Sequence, residues 1–369
     1  MIAGRATEEG TARYAGRAGR NVLPEHFRLT ERGVRLSSVG IGTYLGREDD
    51  ATDALYRRAV AGALERSLNV VDTAINYRHQ RSERAIGAAL SDLIARQAIA
   101  RDEVFVATKG GYIPFDAAIP RDRTAYLAET YLRPGIVRPD DIVGAHCMAP
   151  RFLADQIDRS RHNLGLETLD LYYLHNPESQ LGEIELAEFL RRLRAAFATF
   201  EEAVAAGKIA RYGTATWSGY REPPGAPTLL MLEEVVAAAR EVAGPGHHFR
   251  AIQLPYNLAM PEAFTRANQR VGKETVSALE AAKRLDVYVI ASASVYQGQL
   301  TRNLPPIVAQ YLPELTSDTQ RALQFVRSTP GIGTALVGMK SLAHVEENAG
   351  VAASAPIPWE RFKHLFSTA

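Results

Sequence analysis

Cysteine is nearly absent from this chain: Cys147 is the single thiol in 369 residues. One thiol excludes an internal disulfide and any all-cysteine metal site, and it is consistent with a reducing compartment. Long apolar runs are missing as well, and no stretch reaches the roughly 18 residues that a membrane-spanning helix needs. The N-terminal stretch carries charge from Arg5 to Arg20 without an apolar signal core. That speaks against a secretory segment and for a soluble cytoplasmic protein. No sign of charge dominates: 43 Lys and Arg stand against 42 Asp and Glu, which argues against a nucleic-acid partner. Neither GxGxxG nor GxxxxGK[ST] occurs, so the usual phosphate loops are lacking. HExxH and HxH are lacking too, and His162, His247 and His248 fall away from strand ends. No metal is expected, and a metal-dependent barrel hydrolase is the weakest reading.

What is present is a strand-helix alternation. Residues 1–24 are rich in Gly, Ala and Arg without a clear period, and read as an N-terminal extension: a flexible leader or an arm across a neighbour. Residues 25–369 read as one domain. A small hairpin is expected over 27–36. Strands are predicted at 39–44, 69–74, 104–109, 169–175, 210–216, 251–255, 287–292 and 334–338. Helices are predicted at 50–67, 81–95, 151–163, 186–206, 228–243, 274–285, 317–328 and 342–350. Asp50 and Ser82 read as caps of the first two helices, and Gly207 as the stop of the fourth. Eight such units fit a closed α/β (β/α)8 TIM barrel. Gly40 and Gly42 inside the first strand imply close approach by backbone or ligand, or a tight barrel bottom. The 110–150 connection, with a helix expected at 121–132, is too long for a simple loop and reads as a lid or as peripheral decoration.

The chemistry gathers at strand ends. Asp72 and Tyr77 flank the end of the second strand, Lys109 ends the third and His175 the fourth. Singly, each has an ordinary explanation: a turn aspartate, a packed tyrosine, a surface lysine, a core imidazole. Together they sit at consecutive strand ends, which are neighbours on a barrel rim. A phenol with a reference pKa of about 10 is a poor acid at neutral pH. A nearby ammonium stabilises its phenolate, and a carboxylate keeps that ammonium in place and charged. An imidazole orients a substrate oxygen or helps move its proton. The set suits a carbonyl that receives a proton on oxygen and a hydride on carbon. The hydride must come from a bound cofactor.

These residues resemble the aldo-keto reductase superfamily over about 27–351. The resemblance rests on Asp72-Thr73-Ala74 leading to Tyr77 with Ser82-Glu83 and Ile86-Gly87 beyond, and on Ala107-Thr108-Lys109. It extends through the 169–175 strand, Gly207-Lys208-Ile209 with Tyr212-Gly213, and Gly338 to Glu347-Asn348. It implies a barrel that binds an extended nicotinamide cofactor. Tyr77 is then the proton donor, Lys109 its pKa-lowering partner, Asp72 the partner of Lys109, and His175 the residue that orients the carbonyl. Cofactor contacts fall on Thr43, Asp72, Asn176, Thr216, Gln253, Ser292, Gly338, Lys340, Ser341, His344, Glu347 and Asn348. Lys340 favours a 2′-phosphate and hence NADPH, with NADH as the alternative.

The chain departs from the family in its nicotinamide cradle. Ala215-Thr216 stands where many relatives carry Ser-Asn or Ser-Arg, and Ser292 stands where many carry a stacking tyrosine. His344 replaces a frequent arginine. The implied partner is a small carbonyl, alcohol or sugar substrate, and a homo-oligomer is compatible with the family. Tyr112, Phe115, His146, Met148, Trp217, Tyr220 and Tyr256 are expected to shape the pocket. The alternative is a nicotinamide-binding regulatory protein with little turnover, similar to potassium-channel beta subunits.

Overall fold

Eight parallel strands pair in sequence order and close on themselves in the computed structural model, which describes residues 1–312 and 314–366. They are β1 (Val39–Gly42), β2 (Val70–Asp72), β3 (Phe105–Gly110), β4 (Leu171–His175), β5 (Tyr212–Ala215), β6 (Phe249–Pro255), β7 (Tyr288–Ser292) and β8 (Ile332–Gly338). One helix follows each: α1 (Asp50–Leu64), α2 (Arg81–Ala95), α3 (Pro150–Leu164), α4 (Leu186–Ala205), α5 (Leu232–Ala243), α6 (Ala278–Arg284), α7 (Asp318–Ser328) and α8 (Leu342–Ala349). The (β/α)8 barrel read from the sequence is the fold observed.

Strand side chains alternate between two cores. Val71, Val106, Tyr172, Leu174, Ile252 and Leu254 point outward into the layer shared with the helices. Phe105, Ala107, Leu171, Tyr173, Ala215, Ala251, Ile290 and Leu336 point inward and fill the barrel. The same parity carries Asp72, Lys109, His175, Gln253, Ser292 and Gly338 to the inward set at the carboxyl ends of their strands. A slip of one residue in β3 would turn Lys109 out toward the helices. Gly40 is also inward, and a Cβ there would lie 2.9 Å from Leu336 and 3.0 Å from Val70. Interior packing, rather than a ligand, therefore explains that glycine.

The helix stripes follow their sequence period. Phe189, Leu193, Phe197 and Phe200 of α4 are buried against the barrel, each contributing about 1.5–3 kcal/mol of hydrophobic stabilisation. Gly207, at φ +69°, allows the chain to reverse past α4. On α2, Glu83 accepts from Thr108 Oγ1 at 2.6 Å and from Asn163 Nδ2 at 2.9 Å, which ties α2 to β3 and α3.

Several expectations need correction. Residues 1–24 fold back under the barrel. Helix Glu8–Gly16 lies there, Ala6 N–H donates to Asp170, and the Tyr14 hydroxyl donates to the Leu64 carbonyl. Arg13 and Arg17 pair with Glu103. Asp49, not Asp50, caps α1. Ser82 caps nothing; its hydroxyl donates to Thr43 O at 2.8 Å, and Gln80 occupies the cap position. The helix expected from 274 begins at Ala278, because Glu274–Ser277 pairs antiparallel with Ala267–Val271. Gly272 at φ +60° makes that turn, and the β-branched Thr275 and Val276 suit a strand. The expected hairpin is present as Phe27–Leu29 against Arg35–Ser37. The helix predicted at 121–132 is an α turn, Arg123–Leu127, running into a π turn, Ala128–Leu132.

Candidate active site

Lys109 is fully buried, and its Nζ donates to Asp72 Oδ1 at 2.5 Å and to the Thr73 carbonyl at 2.8 Å. Asp72 Oδ2 accepts from Gln253 Nε2 at 2.8 Å. That bond crosses the mouth, since β2 and β6 lie on opposite sides of the closed barrel. Lys109 Nζ lies 4.9 Å from the centroid of the half-buried Tyr77 ring. The His175 ring meets Tyr77 edge-on at 5.9 Å, and Tyr44 closes on Tyr77 at 5.0 Å. The four strand-end groups singled out in the sequence thus come together in one place.

Burial sets their protonation. It works most strongly against the Lys109 charge, but Asp72 and Tyr77 together outweigh it and raise the ammonium above its ordinary range. Burial also raises the Tyr77 phenol, and Lys109 pulls it part of the way back. Lys109 thus acts on the phenol in the expected, lowering direction, but it offsets desolvation without overcoming it. Burial, then Lys109, hold His175 well below the usual imidazole range, so it is neutral at neutral pH. A neutral imidazole has one donor and one acceptor nitrogen, and His175 Nδ1 has no hydrogen-bond partner among the described residues.

Sequence reasoning named His146 and Tyr112 only as pocket residues and missed Glu178 and the pairings behind this set. His146 lies in the long 110–150 connection, and its Nε2 is 2.7 Å from the His175 carbonyl. Facing a carbonyl, Nε2 carries the proton, which leaves Nδ1 to accept from Gln180 Nε2 at 3.1 Å. The Tyr112 ring packs edge-on against both histidines at 5.2 Å. Its hydroxyl lies 3.0 Å from Ser179 Oγ and 3.2 Å from Asn176 Nδ2. Glu178 is buried, and one of its oxygens accepts from the backbone N–H of Trp217 at 2.7 Å and of Ser218 at 3.2 Å. That carboxylate fixes the loop that follows Ala215-Thr216. None of these pairings has a local signal, because the partners are separated by loops. Of the expected pocket wall, Tyr112, Phe115 and Trp217 keep access to solvent. His146, Met148, Tyr220 and Tyr256 are buried, Tyr256 being stacked on Phe325 at 5.6 Å.

The residues read as cofactor contacts divide in two. Thr43 is buried, and its hydroxyl donates to the Asp72 carbonyl at 3.2 Å. Thr216 is buried, and its N–H donates to the Gln253 carbonyl at 2.8 Å. Asn176 takes a left-handed backbone at φ +46°. Around β7, β8 and α8 the groups are open instead. Gly338 and Lys340 are exposed, His344 is exposed, and Ser292 and Glu347 are half-buried. Among the described residues, chain neighbours aside, nothing lies within 4 Å of where a Gly338 Cβ would sit. Ser341 caps α8 by accepting from His344 N. Asn348 is buried, and its Oδ1 has no partner among the described residues. An unpartnered buried acceptor, an open glycine and an exposed cation at a helix start fit the adenosine-phosphate end of a dinucleotide. Among the described residues, no group of three or more His, Cys, Asp or Glu is arranged to hold a metal ion, and no helix is long and apolar enough to cross a membrane.

Comparison with known proteins agrees with this fold. The model of the Aldo/keto reductase family matches residues 38–310. A 6-dehydroglucose reductase from Novosphingobium aromaticivorans is 26% identical over 200 residues, 53% of this chain and 53% of that protein. The match thus spans about half the length of that relative. An aldo/keto reductase from Klebsiella pneumoniae, solved with NADP and acetate, superposes with a TM-score of 0.62 at 20% identity, covering 94% of this chain and 95% of that one. A glycerol dehydrogenase from Gluconobacter oxydans superposes with a TM-score of 0.64 at 18% identity, covering 94% and 95%. At such identities the likeness is one of fold.

Proposed function

We propose, for a chain that belongs to the Aldo/keto reductase family, that it is an NAD(P)(H)-dependent oxidoreductase interconverting the carbonyl and alcohol of a small aldehyde, ketone or sugar. The observation that carries this reading is the convergence of Asp72, Tyr77, Lys109 and His175 at one end of the barrel. When bound, a nicotinamide supplies or accepts the hydride that no side chain can. The protein's own task is the proton. Neutral His175 donates an N–H to the carbonyl oxygen and orients it. Tyr77 gives its phenolic proton to that oxygen as negative charge develops there. The Lys109 ammonium stabilises the phenolate left behind, and Asp72 keeps the ammonium charged. Gln253 braces the free oxygen of Asp72. In the oxidation direction the same groups run in reverse.

Thr216, Gln253 and Ser292 would flank the nicotinamide, with Thr43 and Asn176 beside them. Gly338, Lys340, Ser341, His344, Glu347 and Asn348 would hold the adenosine phosphates. Lys340 favours NADPH over NADH, although His344 is a weaker phosphate partner than a guanidinium fork. The hydroxyl and amide of Tyr112 and Asn176 near His175 support a substrate with hydroxyls. The sugar named for the Novosphingobium relative points the same way.

The test is a fluorescence titration with NADPH and with NADH, followed by a carbonyl and sugar panel run with the preferred cofactor. Saturable binding with turnover is the expected result. No binding of either cofactor would sink the reading. Tight binding without turnover of any substrate would favour a regulatory nicotinamide-binding protein.

A further inference from the structure

Tyr77 is followed by three non-glycine residues in the left-handed region: Arg78 at φ +48°, His79 at +54° and Gln80 at +71°. A side chain with a Cβ disfavours this conformation, and glycine is its usual occupant. Such a run persists only where the surroundings over-determine it. Here each of the three is pinned from a different direction. Arg78 is 5% exposed, and its Nε donates to the Arg47 carbonyl at 2.7 Å. Its Nη2 donates to the Asp49 carbonyl at 3.2 Å and to Asp53 Oδ1 at 2.5 Å. The guanidinium lies 5.5 Å from the Tyr56 ring, whose hydroxyl donates to the Leu45 carbonyl. The His79 carbonyl accepts from Ala117 N at 2.8 Å. Gln80 donates to the Phe115 carbonyl at 2.9 Å and accepts from Asn163 Nδ2 at 3.1 Å.

We propose that Arg78 is a positioning residue for Tyr77. The inference rests on the proposed proton-donor role of Tyr77. The guanidinium ties the left-handed turn to α1 and to the loop before it. That same loop carries Tyr44, whose ring packs on Tyr77. One buried cation therefore fixes Tyr77 through its backbone on one side and through Tyr44 on the other. The strained turn aims the phenol at Lys109, and the charge and hydrogen bonds of Arg78 hold the turn in place. Without them, a residue with a Cβ at 78 relaxes toward negative φ and draws Tyr77 away from Lys109.

The test compares Arg78→Ala with Arg78→Gly. Both remove the anchor, but only alanine keeps the Cβ that strains the turn. Small misplacements of reacting groups cost up to about a hundredfold in rate. Arg78→Ala is expected to lose about tenfold to a hundredfold in kcat with NADPH binding retained. The pH dependence of its kcat moves to higher pH, because Tyr77 has less help from Lys109. Arg78→Gly recovers most of the lost kcat even if its Tm falls. A readout independent of turnover is the ultraviolet difference titration of Tyr77 against a Tyr77→Phe background, which should shift upward in Arg78→Ala and much less in Arg78→Gly.

Wild-type kcat in Arg78→Ala would overturn the proposal. So would equal losses in the alanine and glycine variants with an unmoved pH dependence, since that pattern marks a purely structural arginine. Should Arg78→Ala fail to fold, Asp53→Asn weakens the same anchor and must move kcat and its pH dependence in the same directions, or the proposal fails. Absence of turnover in the wild type would sink the oxidoreductase reading instead, and the titration of Tyr77 would still decide the role of Arg78.

Discussion

Around the barrel mouth, β2, β3 and β6 carry side chains already bonded to one another, whereas β8 and the start of α8 carry side chains that face open space. Lys109 and Asp72 are buried together, with Gln253 on the far oxygen. Lys340 and His344 are exposed, and neither joins an ion pair among the described residues. The difference follows from what each half does. A proton donor works best where its charged neighbours are fixed and dry before the substrate arrives, so that nothing need reorganise during reaction. A phosphate clamp need only offer backbone N–H groups and a cation, because the ligand brings the opposite charge. Substitutions in the first half should therefore damage turnover or the fold, and substitutions in the second half should change only which cofactor is preferred.

The largest effect is expected at Tyr77. Tyr77→Phe should lower kcat by about a hundredfold or more, as general acid catalysis is commonly worth, while NADPH binding is unchanged. Turnover equal to wild type would remove the phenol from the chemistry. Lys109→Met comes next. It strands a buried carboxylate, and removing one partner of a buried pair costs roughly 3–5 kcal/mol. Chemical denaturation should show that loss together with a fall in kcat. A loss confined to kcat would mean that Asp72 is better solvated than its burial implies.

Most of the first half was legible in the sequence, because strand alternation alone carries Asp72, Lys109 and His175 to the same inward face. The barrel was legible for a related reason: parallel strands covered on both faces read as continuous apolar runs. Contacts made between loops were not. His146 and His175 are far apart in the chain, and no periodicity links them. Glu178 meets the backbone of Trp217, and a backbone donor carries no residue signature. The error at 274–277 has a local cause: Glu274 and the Ala-, Glu- and Lys-rich run after it have helical composition, while the pairing of this segment depends on Ala267–Val271 across a turn. Tyr256 looked like a wall residue by its place after β6, but its ring is taken up by Phe325 of α7.

His146 tests how far the prebuilt half extends below the reacting groups. Burial pushes its imidazole from the ordinary 6.5 down to about 4, against the bond to the His175 carbonyl. Below pH 6.5 the unfolded chain takes up a proton that the folded chain refuses. Its stabilising contribution is therefore complete above about pH 6.5 and is lost as pH falls toward 4, by about 3 kcal/mol in all. His146→Gln should flatten that dependence. His26 is also pushed down, to about 3, but it is common to both proteins and cancels from their difference. Parallel stability curves for wild type and variant between pH 7 and 4 would show that His146 is not held neutral.

The smallest effect falls in the open half. Lys340→Ala removes an exposed cation beside the capped start of α8. If that cation meets a 2′-phosphate, NADPH binding should weaken by about tenfold, the order of one charge-assisted contact near a surface, and NADH binding should hardly change. An exposed pair is screened over a Debye length of about 10 Å at 0.1 M salt, so the discrimination should shrink as salt is added. A buried contact would keep it. Equal weakening of both cofactors would instead place Lys340 against the shared pyrophosphate, and would leave His344 and the α8 amide groups as the only remaining basis for a preference between the two.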